Sequence, residues 1–292
     1  MIKLIACDCD GTLLNNDSQL DEETAKAIQR FQSAGGILML ATGRNIFDTA
    51  VVTDKVKNCV LNCDDGCALY DHDGKQLLIH RIEKDRIRKI QSLSEHYDFP
   101  ILYHGIKGTY INYDHELFRQ RALKQLERRY APFLSDDIFD WVFDSSSCRY
   151  NTDIKQIIKE DIIKLEPIVI EDKDYELVCE ECFTNFSDMN VTVGSFLNNI
   201  EITSLESNKA QAIKEYCRLK GIDDDEVIVI GDSGNDLSMF DLFENSYCVR
   251  NGQDIALRAA RHIIDANDEL GVAKLINEIC NDINDNSIKG KV

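Results

Sequence analysis

The strongest indication of the fold is a short stretch close to the N-terminus, Leu4-Ile5-Ala6-Cys7-Asp8-Cys9-Asp10-Gly11-Thr12. Its first four residues form a short apolar run, which is typical of a strand buried in a sheet. The run ends in two aspartates and a glycine, so the chain passes abruptly from core to a polar turn. Because open parallel sheets bind ligands beyond the carboxyl ends of their strands, this pattern predicts a site at the end of the first strand.

Two other apolar runs end in polar residues in the same way. Ile37–Ala41 is followed by Thr42-Gly43-Arg44, and Val227–Ile230 is followed by Gly231-Asp232-Ser233-Gly234-Asn235-Asp236. Each polar segment by itself is also typical of a turn, a loop or a helix cap. Together, at the ends of adjacent parallel strands, the three segments indicate one shared site.

Strands and helices alternate around these runs, which predicts a parallel sheet with right-handed crossovers. Helical spacing predicts one helix over residues 22–33 and a second over about 45–57. A third strand is predicted over 59–62, and Asp73-Gly74 marks a hairpin between two short strands.

The middle of the chain differs in character from its two ends. Residues 82–189 are rich in aromatic and charged side chains, and 168–170 is predicted to be a short strand among helical segments. We therefore predict one α/β domain made of residues 1–81 and 190–292, with a second domain, 82–189, inserted between them.

The net charge of the chain restricts its partners. The 292 residues include 33 Lys and Arg against 52 Asp and Glu, a formal net charge of −19. Because nucleic-acid binding needs clustered basic residues, a nucleic acid is not expected as a partner. The same charge repels anions, so a phosphate site in this chain needs a bound cation or a few placed basic groups.

The N-terminus and the cysteines both indicate a soluble protein of the cytoplasm, with no membrane partner. The chain reaches Asp8 too early for a signal-peptide core, and no apolar run approaches membrane-spanning length. Eleven cysteines, an odd number, favour reduced thiols over a disulfide framework. Cys179 and Cys182 have CxxC spacing, but no second such pair is present to complete a zinc site.

The polar segments together resemble the four motifs of the haloacid dehalogenase-like hydrolases. The insert resembles, in position and length, the large α/β cap (C2-type) of the Cof-type sugar-phosphate phosphatases. The resemblance implies an α/β fold with a Rossmann-like three-layer core, an inserted specificity cap and phosphoric monoester hydrolase activity. The matching segments are Asp8–Leu14, Thr42-Gly43-Arg44, Lys209, Gly231–Asp236 and a C-terminal motif at Glu269–Ala273.

The resemblance assigns the two aspartates of the first motif different roles. Asp8 is implied to be the nucleophile that forms an aspartyl-phosphate, and Asp10 the acid and base. This division fits phosphoryl transfer, which needs an in-line nucleophile, neutralised phosphate oxygens and a proton donor. A calcium loop, another use of Asp-x-Asp-Gly, is disfavoured because Thr12–Leu14 lacks oxygen ligands at alternate positions.

Magnesium is the implied cofactor, and a small-molecule phosphate ester the implied substrate. The metal ligands are expected to be Asp8, the backbone carbonyl of Asp10 and Asp232, with Asp236 orienting a metal-bound water or Lys209. Arg44 either faces the phosphate or forms a surface ion pair. The groups expected to hold the transferring phosphate are the backbone near Cys9, the Thr42 hydroxyl, the Gly43 amide, the Lys209 ammonium and the Asn235 side chain.

Two positions depart from the family pattern. Cys9 stands where an aliphatic residue is common, and Asp65 lies in a segment where members often have Asn-Gly-Ala. We hypothesise that Asp65 disfavours highly anionic substrates.

Three other functions stay open at this point. They are a phosphomutase on the same fold, a non-catalytic sugar-phosphate sensor, and a phospho-receiver domain whose acceptor is Asp64 or Asp65. The natural substrate and the oligomeric state are not specified by the sequence.

Overall fold

The sheet that carries the three polar segments has eight strands, six of which lie next to one another in parallel. The computed structural model describes residues 1–129, 139, 143, 147–193 and 197–289. The strands of this sheet, numbered in chain order, are β1 (Leu4–Cys7), β2 (Ile37–Ala41), β3 (Val60–Cys63), β4 (Ala68–Tyr70), β5 (Gln76–Ile79), β12 (Val227–Gly231), β13 (Ser246–Val249) and β14 (His262–Ile264). Their order across the sheet is β14-β13-β12-β1-β2-β3-β4-β5, and β3, β4 and β5 pair antiparallel.

β1 is the central strand of this sheet, and its sequence follows from that position. It pairs in parallel with β12 on one side and with β2 on the other. Leu4 and Ala6 pack in a core cluster with Ile213 and Phe240, while Ile5 and Cys7, which point to the opposite face, are also fully buried. A strand buried on both faces reads as a continuous apolar run, as here. The predicted α/β class with a mainly parallel sheet is therefore confirmed.

The helices that accompany this sheet are amphipathic or short. In the first of them Ala25, Ile28 and Phe31 are buried at helical spacing, while Glu22 and Glu23 occupy the first turn, where negative charge stabilises the helix N-terminus. The helices are α1 (Glu22–Ser33), α2 (Ala50–Thr53), α7 (Lys209–Lys220), α8 (Leu237–Leu242), α9 (Asp254–Ala259) and α10 (Gly271–Lys289).

A second sheet, almost entirely antiparallel, is formed by the middle of the chain. Its strands are β6 (Ile101–Gly105), β7 (Gly108–Ile111), β8 (Cys148–Arg149), β9 (Ile162–Pro167), β10 (Met189–Val193) and β11 (Ile200–Ser204), in the order β10-β11-β9-β6-β7-β8. The helices of this part are α3 (Lys84–Tyr97), α4 (His115–Arg129), α5 (Ile154–Ile157) and α6 (Asp172–Asn185). Residues of α3 and α6, including Ile90 and Val178, share a core cluster with Tyr103 and Leu165 of the sheet.

The chain divides into two compact units. The first contains Met1–Ile79 and Asn208–Val292, and the second contains His80–Ser207. The second unit therefore continues beyond the boundary predicted at residue 189, because β10 and β11 pair with each other and β11 pairs with β9. Within the described ranges, no helix combines the length and the apolar character needed to cross a bilayer.

Two predicted elements differ from the structure. The helix expected over 45–57 is reduced to α2, because the Asn45 side chain accepts hydrogen bonds from the backbone N–H groups of Phe47 and Asp48 and so holds a turn. The strand expected at 168–170 lies earlier, as β9. Its charged residues Lys164 and Glu166 conceal the strand pattern in the sequence, and both find partners within the sheet.

Glu166 lies in a polar cluster on this second sheet. Its Oε2 is 2.8 Å from His104 Nε2, and its Oε1 accepts a hydrogen bond of 2.9 Å from Asn199 Nδ2. Lys164 pairs with Glu201 at 3.2 Å. Burial acts to raise the pKa of Glu166, but the His104 hydrogen bond and the Lys164 charge outweigh it and lower that pKa from 4.5 to about 2.

This lowered pKa predicts a pH-dependent contribution to stability. Because the pKa is lower in the folded state, ionised Glu166 stabilises the fold above about pH 4.5, and this contribution is lost as the pH falls towards about 2. We expect Glu166→Gln to cost on the order of 2–3 kcal/mol of unfolding free energy at pH 7 and much less near pH 2. Urea denaturation across this range measures the difference.

Glu180→Gln is the matched control, since Glu180 is exposed on α6. A cost for Glu166→Gln that stays the same from pH 7 to pH 2 would show that shape rather than charge holds the cluster together.

Candidate active site

The turn after β1 places its two carboxylates in different surroundings. Asp8 is 5% exposed, whereas the side chain of Asp10 is 49% exposed. Gly11 has a φ of +76°, and a Cβ atom at this position would lie 2.8 Å from Oδ2 of Asp232. Glycine is therefore required here both by the backbone conformation and by the close approach of a carboxylate from the far end of the chain.

Lys209 connects the first and last motifs. Its ammonium donates hydrogen bonds to Asp8 Oδ1 at 2.6 Å and to Asp236 Oδ1 at 2.8 Å. Burial alone would lower the pKa of Lys209, but the charges of Asp8 and Asp236 raise it well above its ordinary value, so the side chain stays an ammonium ion. Lys209 is 1% exposed, so its ammonium lies within the site and not on the outer surface of the helix.

The start of α7 fixes the position of Lys209. The side chain of Asn208 caps the helix by accepting a hydrogen bond of 2.8 Å from the backbone N–H of Gln211. The Asn62 side chain at the end of β3 donates a hydrogen bond of 2.9 Å to the Lys209 carbonyl. The ammonium is therefore presented from a helix start that is itself attached to the central sheet.

Asp236 is fully buried and connects Lys209 to the loop that carries Asp232. Its Oδ1 accepts from Lys209, and its Oδ2 accepts from the backbone N–H groups of Asp232 and Ser233 at 2.9 and 3.1 Å. Gly231 is needed beside it, because a Cβ there would lie 2.4 Å from the Asp236 carboxyl carbon. Asp236 thus holds the loop that carries Asp232 in place.

Asp8, Asp232 and Asp236 present carboxylate oxygens within 4.8 Å of one another. The Thr12 hydroxyl donates a hydrogen bond of 2.8 Å to Asp232 Oδ1, a contact that the sequence alone did not suggest. Burial is the main cause that raises the pKa of both Asp8 and Asp232. Carboxylates this close together, two of them buried and one half-buried, fit a small divalent cation with a preference for oxygen ligands, such as Mg²⁺.

Arg44 forms an ion pair with Asp10. Its Nε and one terminal nitrogen donate to the two Asp10 oxygens at 2.7 and 2.6 Å, in a bidentate arrangement. A further nitrogen donates to the carbonyl of Asp48 at 3.0 Å. Arg44 therefore pairs with a residue of the first motif, and its contact with a phosphate stays a prediction.

The remaining predicted residues surround the same strand ends. Thr42 is fully buried, and its hydroxyl accepts a hydrogen bond of 3.1 Å from the Arg44 backbone N–H. Cys9 is also buried, which raises the pKa of its thiol. Gly43 and Asn235 both approach Asp65, whose Oδ1 accepts a hydrogen bond of 3.0 Å from Asn235 Nδ2.

Comparison with known proteins now identifies the family. The sequence profile of the haloacid dehalogenase-like hydrolases matches residues 5–276. The chain belongs to this family.

Two relatives of this haloacid dehalogenase-like hydrolase are named as phosphatases. It is 26% identical over 294 aligned residues to 5-amino-6-(5-phospho-D-ribitylamino)uracil phosphatase YwtE of Bacillus subtilis, with 95% of this chain and 98% of the relative covered. It is 27% identical over 276 residues to YcsE of the same organism, which carries the same enzyme name, with 94% of each chain covered. These matches along the full length show that the protein is a phosphatase.

A solved structure supports the fold. A haloacid dehalogenase-like hydrolase from B. subtilis superimposes with a TM-score of 0.78 at 22% identity, covering 94% of this chain and 99% of that one. Members of the family typically use a metal ion, and the cluster of Asp8, Asp232 and Asp236 is where this hydrolase has acidic groups to hold one.

In this haloacid dehalogenase-like hydrolase, the structure gathers the predicted residues at the ends of β1, β2 and β12 and the start of α7. Two contacts were not foreseen from the sequence. Thr12 belongs to the first motif but was given no role, and the proximity of Asp65 to Lys209, at 3.9 Å, is visible only in three dimensions.

Proposed function

We propose that the protein hydrolyses small phosphate monoesters with Mg²⁺ as cofactor, through an aspartyl-phosphate on Asp8. One observation carries the proposal. The buried carboxylate of Asp8 is held by the Lys209 ammonium and lies in the same oxygen cluster as Asp232. A carboxylate that is desolvated and next to cations suits nucleophilic attack on phosphorus.

The two proposed steps use the same pair of aspartates. Asp8 attacks the phosphorus atom, the bond from phosphorus to the leaving oxygen breaks, and Asp10 gives that oxygen a proton. A water molecule then attacks the phosphorus of the aspartyl-phosphate and loses a proton to Asp10, and the bond between phosphorus and the Asp8 oxygen breaks, releasing inorganic phosphate. Before substrate binds, Arg44 holds Asp10 at the edge of the site.

The proposed metal ligands are Asp8, the Asp10 carbonyl and Asp232. When bound, the ion supplies positive charge for the phosphate oxygens, which a chain of net charge −19 otherwise repels. Asp236 is proposed to act on this site indirectly, because both of its oxygens already accept hydrogen bonds from Lys209 and from the Asp232 loop. The proposed phosphate-binding groups are the Cys9 backbone, Thr42, Gly43, Lys209 and Asn235.

We propose that the substrate is a phosphorylated sugar or sugar alcohol and that the second unit, His80–Ser207, acts as the specificity cap. The names of YwtE and YcsE support this class, since both describe a phosphatase for a phospho-ribityl compound. The proposed location is the cytoplasm, where such metabolites are found.

A panel of phosphate esters tests the proposal. With Mg²⁺, we expect release of inorganic phosphate from p-nitrophenyl phosphate and faster release from pentose, pentitol or hexose phosphates, with loss of activity in chelator and recovery on adding Mg²⁺ back. Transfer of the phosphoryl group to a second sugar hydroxyl would instead indicate a mutase. Binding of sugar phosphates without any release of phosphate would indicate a sensor.

A further inference from the structure

Asp65 is a fifth carboxylate at the site, beside Asp8, Asp10, Asp232 and Asp236, and an unusual backbone holds it there. It follows β3, and three consecutive residues, Asp64, Asp65 and Gly66, have positive φ angles of 49°, 54° and 96°. Asp and Asn tolerate this left-handed conformation better than other residues with a side chain. Gly66 is required in its place, since a Cβ there would lie 2.2 Å from the Asn208 carbonyl oxygen. The loop therefore sets the position of the Asp65 side chain.

The Asp65 carboxylate lies beside three of the residues to which we assign phosphate binding. Oδ1 accepts a hydrogen bond of 3.0 Å from Asn235 Nδ2 and lies 3.9 Å from Lys209 Nζ. Oδ2 lies 3.0 Å from the point where Gly43 would carry a Cβ. The side chain is 26% exposed, so it is not enclosed in the core.

An amide and an ammonium group beside one carboxylate, next to a glycine that leaves room for it, form the kind of donor set that also binds a phosphoryl group. We propose that Asp65 is an internal anion that contacts these groups when substrate is absent and competes with phosphate for them. Asp65 would thereby weaken the retention of inorganic phosphate and keep product inhibition low. This inference rests on the proposed function and assigns a further specificity-determining residue to it.

The experiment tests the effect of the Asp65 charge on phosphate binding. A negative group beside a dianion in a partly desolvated site opposes binding of that dianion. With Asp65→Asn, the side chain keeps its size and its preference for a left-handed backbone, while the charge is removed. We expect the competitive inhibition constant of inorganic phosphate, measured against p-nitrophenyl phosphate with Mg²⁺ present, to fall by about tenfold or more.

Two further variants make the result specific. Asp65→Gly removes the side chain and suits the positive φ angle, so it should tighten phosphate binding to a similar degree. Asp73→Asn changes the net charge equally but lies in the exposed hairpin between β4 and β5, so its inhibition constant should match that of the wild type.

The outcomes separate the inference from the proposed function. If both Asp65 variants hydrolyse the ester but keep an inhibition constant within about twofold of wild type, or bind phosphate more weakly, the competition is refuted and the proposed function stands. If the wild-type protein releases no phosphate from any ester, the proposed function fails, and the inference fails with it.

Discussion

Replacing Asp8 by asparagine is expected to reduce kcat for phosphate-ester hydrolysis by at least about 10⁴-fold, since removal of a nucleophile typically has effects of this order. Asparagine is nearly isosteric, but its amide oxygen cannot form the acyl phosphate. Steady-state release of phosphate from p-nitrophenyl phosphate with Mg²⁺ measures the loss. Far-ultraviolet circular dichroism and a urea denaturation curve establish that the variant is folded.

Two other variants define what the loss means. Asp73→Asn makes the same chemical change at an exposed position and should leave kcat unchanged. Asp10→Asn should slow hydrolysis of the intermediate, so that a phosphoryl adduct on the protein becomes detectable by mass spectrometry after mixing with substrate. Appreciable residual turnover by Asp8→Asn, above about 1% of wild type, would contradict an aspartyl-phosphate mechanism.

Lys209→Met is expected to produce the largest loss of stability, about 3–5 kcal/mol of unfolding free energy in the presence of a chelator. Lys209 is 1% exposed and pairs with Asp8 and Asp236, so its removal leaves two buried carboxylates without their counterion. Methionine keeps much of the volume and removes the charge. Urea denaturation followed by circular dichroism measures the change, and kcat is expected to fall as well.

A double-mutant cycle tests whether charge pairing is the cause. Asp236→Asn alone should be destabilising, because Asp236 also accepts from the Asp232 and Ser233 backbone. In the double variant with Lys209→Met, the loss of unfolding free energy should be smaller than the sum of the two single losses. The difference, which is the coupling energy, should be at least about 1 kcal/mol. Strictly additive losses would show that Lys209 stabilises the fold by packing of its aliphatic chain and not by its charge.

The central sheet was predictable from sequence because its signals are local and mutually consistent. β1 and β2 are apolar runs with buried residues on both faces, and the hairpin turn at Asp73-Gly74 lies between β4 and β5 as predicted. The polar segments after these strands could be placed at one edge because parallel strands end at the same edge. The shared site could therefore be predicted from the ends of the strands, without knowledge of any individual long-range contact.

The contacts within the site were harder to predict from the sequence. The sequence left Arg44 with two placements, because a bidentate pair with Asp10 depends on how the two loops approach each other. Asp65 was noticed as a departure, but its contact with Asn235 joins residues far apart in the chain. In the second unit, the charges of Lys164 and Glu166 hid a strand whose polar groups are paired across the sheet. Tertiary partners, absent from any local pattern, account for all three.

The pairing of β1 with β12 has a consequence for the synthesis of the protein. Asp8 is synthesised before the second unit, whereas Lys209, Asp232 and β12 follow only after the whole second unit has been made. Until then β1 has only one neighbouring strand, β2. The other side of β1 is an unpaired, apolar edge that is open to association with other chains. The nascent chain therefore most needs protection from aggregation between the translation of β1 and the translation of β12. During the same interval the chain has no assembled active site.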